Sequence, residues 1–524
     1  MGRWFNTAGP CLPEYHYMIP ALRRLPEAPR LVSQLGYFVV HAPRQTGKTT
    51  AVRALGDDLT ASGEYVSMAF TCEIGRAAGD DYHAAIQGVV QEIRSRAEVA
   101  LPPELRPPPW PQDGENLLKE ALAAWARACP RPLVLFFDEI DALRGQSLIS
   151  VLSQLRAGYN ERPADFPASV VLCGLRDVRD YKAAAGGDPR RLGTASPFNI
   201  KLKSLRVGDF TAAEVAELYG QHTADTGQEF TADAVARAFE LTGGQPWLVN
   251  ALAKEIVEEI SVPTAEPITV EHVEAAKERL ILARATHLDS LAARLAEPRV
   301  RRVIEPVLAG TLAQLEPYDD DTRYVRDLGL VASSPPVRIA NPIYHEVIVR
   351  VLGSAVEENV LADPRSFVLP DGRFDIDLLL REFAAFWREN GELLTAGMIY
   401  HEVAPQLVLM GYLQRVVNGG GTVTREYGLG RGRIDLLIEW PYRTADGKRS
   451  WQREAIELKV WRTGEPDPLD RGLAQLDGYL DRLGLDHGVL VVFDRRAEAA
   501  PITDRTGFAE HHSPAGRPVT LLRG

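Results

Sequence analysis

The spacing of apolar positions changes several times along the chain, and each change predicts an element. Tyr37-Phe-Val-Val40 is an unbroken run of aromatic and β-branched residues, the pattern of a strand covered on both faces. Glu64–Phe70 (EYVSMAF), Pro132–Phe137 (PLVLFF) and Ser169–Gly174 (SVVLCG) repeat it. Ser196-Pro-Phe-Asn-Ile200 leads a further short strand. Between these runs the period lengthens to that of a helix, over Thr50–Leu59, 80–99 and Glu115–Ala128. Leu101–Pro111 is dense in proline, which removes backbone donors and enforces a loop. Strand–helix alternation from Leu31 to Lys203 predicts an α/β unit with a parallel sheet and helices on both faces.

Asp209–Glu259 is helical in pattern throughout, with Thr211 and Glu214 spaced as a capping box. Thr242-Gly-Gly-Gln-Pro-Trp247 breaks it, with Gly suited to a helix C-cap and Pro to the next first turn. Leu288–Ala296 and Val300–Ala309 predict helices. Residues 321–348 read as a helix, a short hairpin at Pro335-Pro336 and another helix, the outline of a winged helix. Residues 353–395 form a helical connector whose apolar face carries Phe383, Phe386 and Trp387. From Ala396 the character changes. A helix over Met398–Gly411 precedes strand-like segments at 422–440 and 450–462, a helix carrying Gln475 and Tyr479, and a buried strand at Val489–Phe493. The predicted domains are therefore 1–30 (an arm), 31–205 (core), 206–285 (helical lid), 286–355 (winged-helix-like), 356–395 (connector) and 396–524 (a second α/β domain).

A length of 524 residues fits such a division. The net charge of −12 excludes a chain that grips nucleic acid over its whole surface, though not a local basic groove. Cys11, Cys72, Cys129 and Cys173 are scattered, with neither metal-ligand nor disulfide spacing, which suits a reducing cytoplasm. Arg3, Asn6 and Pro10 interrupt any signal peptide, and no apolar run is long enough to span a membrane.

Chemistry concentrates in two places. Ala42-Pro43-Arg44-Gln45-Thr46-Gly47-Lys48-Thr49-Thr50 follows the first strand in phosphate-loop spacing, with Ala42 where a first Gly is usual. Loop and helix amides can converge there on a triphosphate, with Lys48 adding charge and Thr49 offering a hydroxyl to Mg²⁺. Asp138-Glu139 end the strand PLVLFF: Asp138 is placed to hold Mg²⁺, and Glu139 to polarise the attacking water. Arg176, with Arg179 as rival, follows the next strand as a γ-phosphate sensor. Tyr15, His16 or Tyr17 can pack on an adenine, or pin the arm to the core.

This loop, Phe136-Phe-Asp-Glu-Ile-Asp141, Ser196-Pro-Phe198 and Gly243-Gly-Gln-Pro246 resemble AAA-like ATPases of the signal-transduction (STAND) branch, over residues 10–350. The resemblance implies ATP and Mg²⁺ as cofactors. It also implies a lid in which Gly244, Gln245 and Pro246 pack near adenine and report nucleotide state. The winged helix is then a packing and switching element more readily than a DNA reader, as Asp319-Asp320-Asp321 beside it favours.

In the last domain, Glu457 and Lys459 lie two apart on a strand and so share a face, while Ile456 and Leu458 point into the core. An Asp435 brought beside them makes a hard-oxygen site for Mg²⁺ or Mn²⁺, with Lys459 set to orient a water or steady a phosphate. Gly432-Arg-Ile-Asp435, Glu457-Leu-Lys459 and Gln475-x₃-Tyr479 resemble the PD-(D/E)XK nuclease superfamily. That resemblance implies Glu402 as a further metal ligand and Gln475 and Tyr479 as site residues. The expected function is an ATP-driven switch coupled to a metal-dependent nuclease in the cytoplasm. Its partner would be nucleic acid, DNA first, with a protein trigger and self-assembly on activation, and genome defence as the setting. The alternative is a regulatory ATPase whose last domain binds nucleic acid or a protein without cleaving.

Overall fold

The computed structural model describes residues 2–79, 81–110, 113–176, 200–283, 285–308, 319–332, 337–357, 367–396, 404–417, 420–429, 432–444, 446–496 and 498–524. The chain divides into two compact units. The first comprises Met1–His287, Glu316–Ser333 and Ala340–Ile343. The second comprises Leu288–Leu315, Ser334–Ile339 and Tyr344–Gly524.

In the first unit five strands make one sheet: β1 (Tyr37–His41), β2 (Val66–Thr71), β3 (Leu133–Asp138), β4 (Ser169–Gly174) and β5 (Lys201–Arg206). Their order is β2-β3-β4-β1-β5, and every pairing is parallel. The continuous apolar runs now have a cause. Tyr37 and Val39 enter the core on one face, packed by helices Tyr82–Ala100, Leu117–Ala128 and Gly145–Gly158. Phe38 and Val40 enter the core on the other, under helix Lys48–Ala61. Leu133, Leu135 and Phe137 alternate in the same way with Val134 and Phe136. β5 is an edge strand, and its exposed Leu202, Lys203 and Arg206 fit that position.

Helices Ala212–Thr226, Ala232–Thr242, Pro246–Lys254 and Val270–Leu282 follow. The expected capping box is formed: Glu214 N–H donates to Thr211 Oγ1 at 3.2 Å, and Thr211 N–H donates to Glu214 Oε2 at 2.8 Å. The N-terminal arm doubles back on itself, with Tyr17 N–H bonded to the Trp4 carbonyl. It buries Phe5 and Tyr17 against Tyr219, His222 and Phe230.

Of the segment expected to form a winged helix, four helices are described: Thr286–Arg294, Pro298–Leu308, Asp320–Asp327 and Pro342–Glu357. The expected hairpin at Pro335-Pro336 lies outside the described residues. Asp320–Asp327 belongs to the first unit and Pro298–Leu308 to the second, so this stretch is shared between the two.

The second unit is built on a six-stranded sheet ordered β10-β11-β9-β8-β7-β6. Its strands are β6 (Thr422–Leu429), β7 (Gly432–Arg443), β8 (Arg449–Trp461), β9 (Gly488–Asp494), β10 (Gly507–His512) and β11 (Pro518–Arg523). The segment 422–440 is thus the antiparallel pair β6–β7. β8 and β9 are parallel, joined by helix Leu469–Leu483. That helix places Leu473, Leu476 and Leu480 on Leu437, Ala455, Leu490 and Val492. On helix Ile376–Ala396, Phe383 and Trp387 pack against Phe493. The helix expected over Met398–Gly411 is described over Ala404–Val417. Residues 397–403, Glu402 among them, lie outside the described residues.

Candidate functional site

The first centre grows from the end of β1. Ala42 N–H donates to the Gly174 carbonyl at 3.3 Å, so the loop leaves the sheet between β1 and β4. The turn needs positive φ at Gln45 (58°) and Gly47 (85°), and glycine supplies the second without a Cβ penalty. Ala42 is not at a left-handed position, and its methyl is buried in the core, so the missing glycine costs the turn nothing. Thr46 Oγ1 donates to the Pro43 carbonyl at 2.9 Å and closes the curl. Lys48 Nζ donates to the carbonyls of Ala42 and Pro43, each at 2.8 Å. Burial lowers the Lys48 pKa, opposed by Asp141 and Asp138 nearby. The helix starts at Lys48, so its unpaired amides and positive dipole end close the same concavity. Arg44 is exposed on its rim. Thr49 Oγ1 donates to Asp138 Oδ2 at 2.7 Å. This hydroxyl–carboxylate pair is a donor set that suits Mg²⁺.

Register places Asp138 beside Thr71 of β2, and Glu139 follows in a left-handed turn, φ 53°. Glu139 Oε2 accepts from Thr71 Oγ1 at 3.4 Å, and its carboxyl is hydrogen-bonded to that of Glu73. Desolvation, then the Glu73 carboxyl, raises Glu139 to about 6. A carboxylate poised there suits a general base. Arg176 is only 6% exposed and turns to helix Asp320–Asp327. Its Nε lies 3.4 Å from Asp327 Oδ2, and its guanidinium sits 4.3 Å from the centre of the Tyr324 ring. Arg179 lies outside the described residues. Sequence reasoning singled out neither Glu73 nor Asp327. Nothing local marks them, because each is defined by what the fold brings opposite it.

The lid meets the loop. Gly244 (φ 77°) lies so near Phe210 that a Cβ there would come 1.9 Å from its carbonyl oxygen, so only glycine fits. Gln245 accepts Leu248 N–H on Oε1 at 2.6 Å, capping helix Pro246–Lys254, and reaches the Gln45 carbonyl with Nε2 at 3.4 Å. The cap and the contact with the phosphate loop are thus one side chain. A cleft opens between Gly47, Thr50, the arm and Pro246. Thr50 Oγ1 accepts Cys11 N–H at 3.1 Å, and Trp247 Nε1 donates to the Thr7 carbonyl at 2.9 Å. Of the three aromatic candidates on the arm, Tyr17 lines this cleft. Tyr15 is exposed, and the His16 ring is held by Leu12 N–H.

The second centre sits on strands. Leu436 pairs with Ile456, so one step along the antiparallel ladder brings Asp435 opposite Glu457. Asp435 Oδ2 accepts Leu458 N–H at 2.8 Å. Lys459 Nζ lies 2.5 Å from Glu457 Oε1 and 4.0 Å from Asp435 Oδ2. The three residues do converge. Glu457 is 2% exposed, and its Oε2 is buried with no hydrogen-bond partner. Desolvation first, then the Asp435 charge, pushes Glu457 up to about 7. An orphaned carboxylate oxygen beside a second acid is a donor set that a divalent cation fits. Helix Leu469–Leu483 covers the site: a Cβ on Gly472 would lie 3.4 Å from Lys459 Cγ. On the same helix Gln475 Oε1 is buried without a partner, and Tyr479 packs on the helix–sheet core. Among the described residues no group of three or more His, Cys, Asp or Glu gathers to hold a metal.

Residues 33–181 match the family described as an AAA domain. The chain therefore carries an AAA-like P-loop ATPase domain. Among solved structures it is similar to a Walker-type ATPase of Pyrococcus abyssi, at 14% identity and a TM-score of 0.45, covering 66% of this chain and 99% of that one. It is similar to the Holliday junction branch migration motor RuvB of Thermotoga maritima, at 15% identity and a TM-score of 0.33, covering 62% and 92%. It is similar also to domain III of the Thermotoga maritima replication initiation protein DnaA, at 12% identity and a TM-score of 0.32, covering 51% and 97%. No curated protein matches. Among the described residues no helix is long and apolar enough to cross a membrane.

Proposed function

We propose that the chain is an ATP-driven switch whose ATPase domain controls a Mg²⁺- or Mn²⁺-dependent nuclease, acting on nucleic acid, DNA first. The observation that carries the nuclease half is the meeting of Asp435 and Glu457 at Lys459 Nζ, with Glu457 Oε2 left buried and unpartnered. In the ATPase half, Lys48 and the loop amides bind the β- and γ-phosphates, and Thr49 and Asp138 hold Mg²⁺. Glu139 takes the proton of the attacking water. Gln245 and Pro246 register the nucleotide from the lid, and Arg176 registers its γ-phosphate once it is released from Asp327. In the nuclease half, Asp435 and Glu457, with Glu402, hold the cation. Bound there, it supplies a Lewis acid and an activated water for phosphodiester hydrolysis. Lys459 balances charge on the phosphate, and Gln475 and Tyr479 orient the strand of nucleic acid. The winged-helix segment acts as the switching element, a protein or nucleic-acid signal as the trigger, and self-assembly follows activation. Defence against foreign DNA in the cytoplasm is the setting that the family resemblance alone suggests.

The test is cleavage of plasmid, single-stranded DNA and RNA in Mg²⁺ or Mn²⁺, with and without ATP. Cleavage that disappears in Glu457→Ala and loses its ATP dependence in Lys48→Ala is the expected result. Cleavage surviving Glu457→Ala sinks the site, and cleavage indifferent to Lys48→Ala sinks the coupling. The second reading is a regulatory ATPase whose last domain binds a partner without cutting. It is favoured by one feature, the pairing of Lys459 with Glu457 inside the protein, which spends the lysine's charge on its neighbour. Nucleic-acid binding with no cleavage in either metal would select it.

A further inference from the structure

Among the described residues lining the cleft beside the phosphate loop, Asn250 carries a buried side-chain oxygen with no hydrogen-bond partner. Asn250 lies four residues after Pro246 on helix Pro246–Lys254, so both side chains share the face that lines the cleft. Asn250 is 7% exposed. Its Nδ2 donates to the Pro246 carbonyl at 2.8 Å. A carbonyl only accepts, so this bond fixes which end of the amide is nitrogen. Oδ1 is therefore the other end, and it is buried with no hydrogen-bond partner. Several other polar groups lining the cleft are taken. Asn6 donates to the Gly9 carbonyl and the Cys11 sulfur and accepts from Ala8 N–H. Thr50 Oγ1 accepts from Cys11, Trp247 Nε1 donates to Thr7, and Arg24 donates to the Gly208 carbonyl.

We infer that Asn250 selects the base of the bound nucleotide, its Oδ1 accepting a hydrogen bond from the exocyclic amine of adenine. The inference rests on the ATPase reading and adds to it the source of base selectivity. The cleft has apolar walls at Met18, Ile19, Pro246 and Trp247 and continues from Gly47 and Thr50 of the phosphate loop, where a base attached to loop-bound phosphates must lie. A buried acceptor is satisfied by a donor and penalised by another acceptor. Adenine presents N–H₂ at its 6-position, whereas guanine and hypoxanthine present a carbonyl oxygen. A 6-oxopurine leaves two acceptors face to face, and a purine without a 6-substituent leaves Oδ1 as it was. A site that hydrogen-bonds its ligand rejects the analogue lacking that bond more sharply than an apolar pocket rejects a change in size.

The test measures dissociation constants of ATP, purine riboside triphosphate and ITP for the full chain in Mg²⁺, by equilibrium dialysis. The expected order is ATP tightest, then purine riboside triphosphate, then ITP, with about tenfold or more between ATP and ITP. Asn250→Leu should bring ATP and ITP together by weakening ATP, with an unchanged melting temperature showing that the lid is intact. The unaltered protein carries the same test through the purine series alone, so a variant that fails to fold does not remove it. ITP binding as tightly as ATP, or an ATP/ITP ratio unchanged in Asn250→Leu, overturns the inference. Lys48→Ala separates the two readings. If it leaves ATP binding intact, the phosphate-loop reading fails. If it abolishes binding while Asn250→Leu leaves selectivity alone, only the base assignment fails.

Discussion

The two centres of this chain each pair a lysine with carboxylates, on opposite terms. Lys48 is bonded to two neutral carbonyls, and the acids stand apart from it, so its charge remains to be offered to a polyphosphate. Lys459 lies directly against Glu457 and within 4.0 Å of Asp435. Two acids to one lysine leave that centre net acidic, which suits a divalent cation better than a bare phosphate. The scaffolds differ as well. The first centre hangs on a turn that requires left-handed Gln45 and Gly47. The second is set by side-chain alternation and ladder register on β7 and β8, with Asp435, Glu457 and Lys459 all in strands. A loop centre is bound by the backbone and can follow its lid. A strand centre is fixed once the sheet forms.

The sharpest way to break this comparison is to remove one lysine or acid at a time. Lys48→Ala should lower ATP hydrolysis by about 10²- to 10³-fold, the cost of removing one preorganised charge from a phosphate site. Glu457→Ala should abolish metal-dependent cleavage and leave ATP hydrolysis unchanged. Steady-state phosphate release and plasmid nicking measure the two. A Glu457→Ala protein that loses ATP hydrolysis as well would mean the centres are not separable.

Next in size is the lid. Gly244→Ala sets a methyl 1.9 Å from the Phe210 carbonyl at a backbone angle of 77°. Overpacking and left-handed strain together should cost on the order of 3 kcal/mol. A thermal melt should show the loss in the transition that ATP stabilises. An unshifted melt would mean that Phe210 and Gly244 separate freely, and the lid would then be a loose cover.

The pH dependence of the stability difference between wild type and Glu457→Gln tests the strand centre, since Glu139 titrates in the same range in both. Glu457 is raised from 4.5 to about 7, so between those values the folded chain holds a proton that the unfolded chain releases. Stability from this group is full below about pH 4.5 and is lost as pH rises toward 7. Glu457→Gln has no such loss. Its melting temperature should gain on the wild type across that window, by up to roughly 3 kcal/mol in stability. A constant difference would mean that Lys459 neutralises Glu457 fully at every pH.

How legible each centre was in the sequence follows from the same contrast. Ala42–Thr50 could be read directly, because a phosphate-binding turn imposes its spacing on consecutive residues and both faces of β1 are apolar. β3 and β4 were legible for the second of those reasons, and Gly244 through its neighbours Gly243 and Pro246. Asp435 and Glu457 were readable only as a pattern, since 21 intervening residues leave their pairing to the register of β7 and β8. Glu73, Asp327 and Asn250 gave no pattern at all. Glu73 matters because the chain after β2 brings it beside Glu139, and Asn250 because its amide is half-used in a helix that otherwise reads as core. The division of 422–440 into the antiparallel pair β6–β7 was missed because the stretch lacks a strong stop signal between its apolar runs.

The smallest expected effect is the most informative about the loop centre. Arg176 was expected to face a γ-phosphate, yet it is buried against Asp327 and Tyr324. The same stretch packs on the phosphate loop itself, since a Cβ on Gly329 would meet Pro43 at 2.7 Å. A carboxylate and a γ-phosphate compete for one guanidinium, and an arginine held by both an ion pair and a ring face is costly to withdraw. Asp327→Asn keeps the shape and removes the charge. ATP hydrolysis should rise by a few-fold, the size of effect that about 1 kcal/mol of weakened ion pairing produces. Arg176→Ala should instead lower it. Turnover at saturating ATP for the two variants decides the matter: a fall in both would make the Asp327 contact a support for the active site, and a rise in both would make Arg176 a brake in its own right.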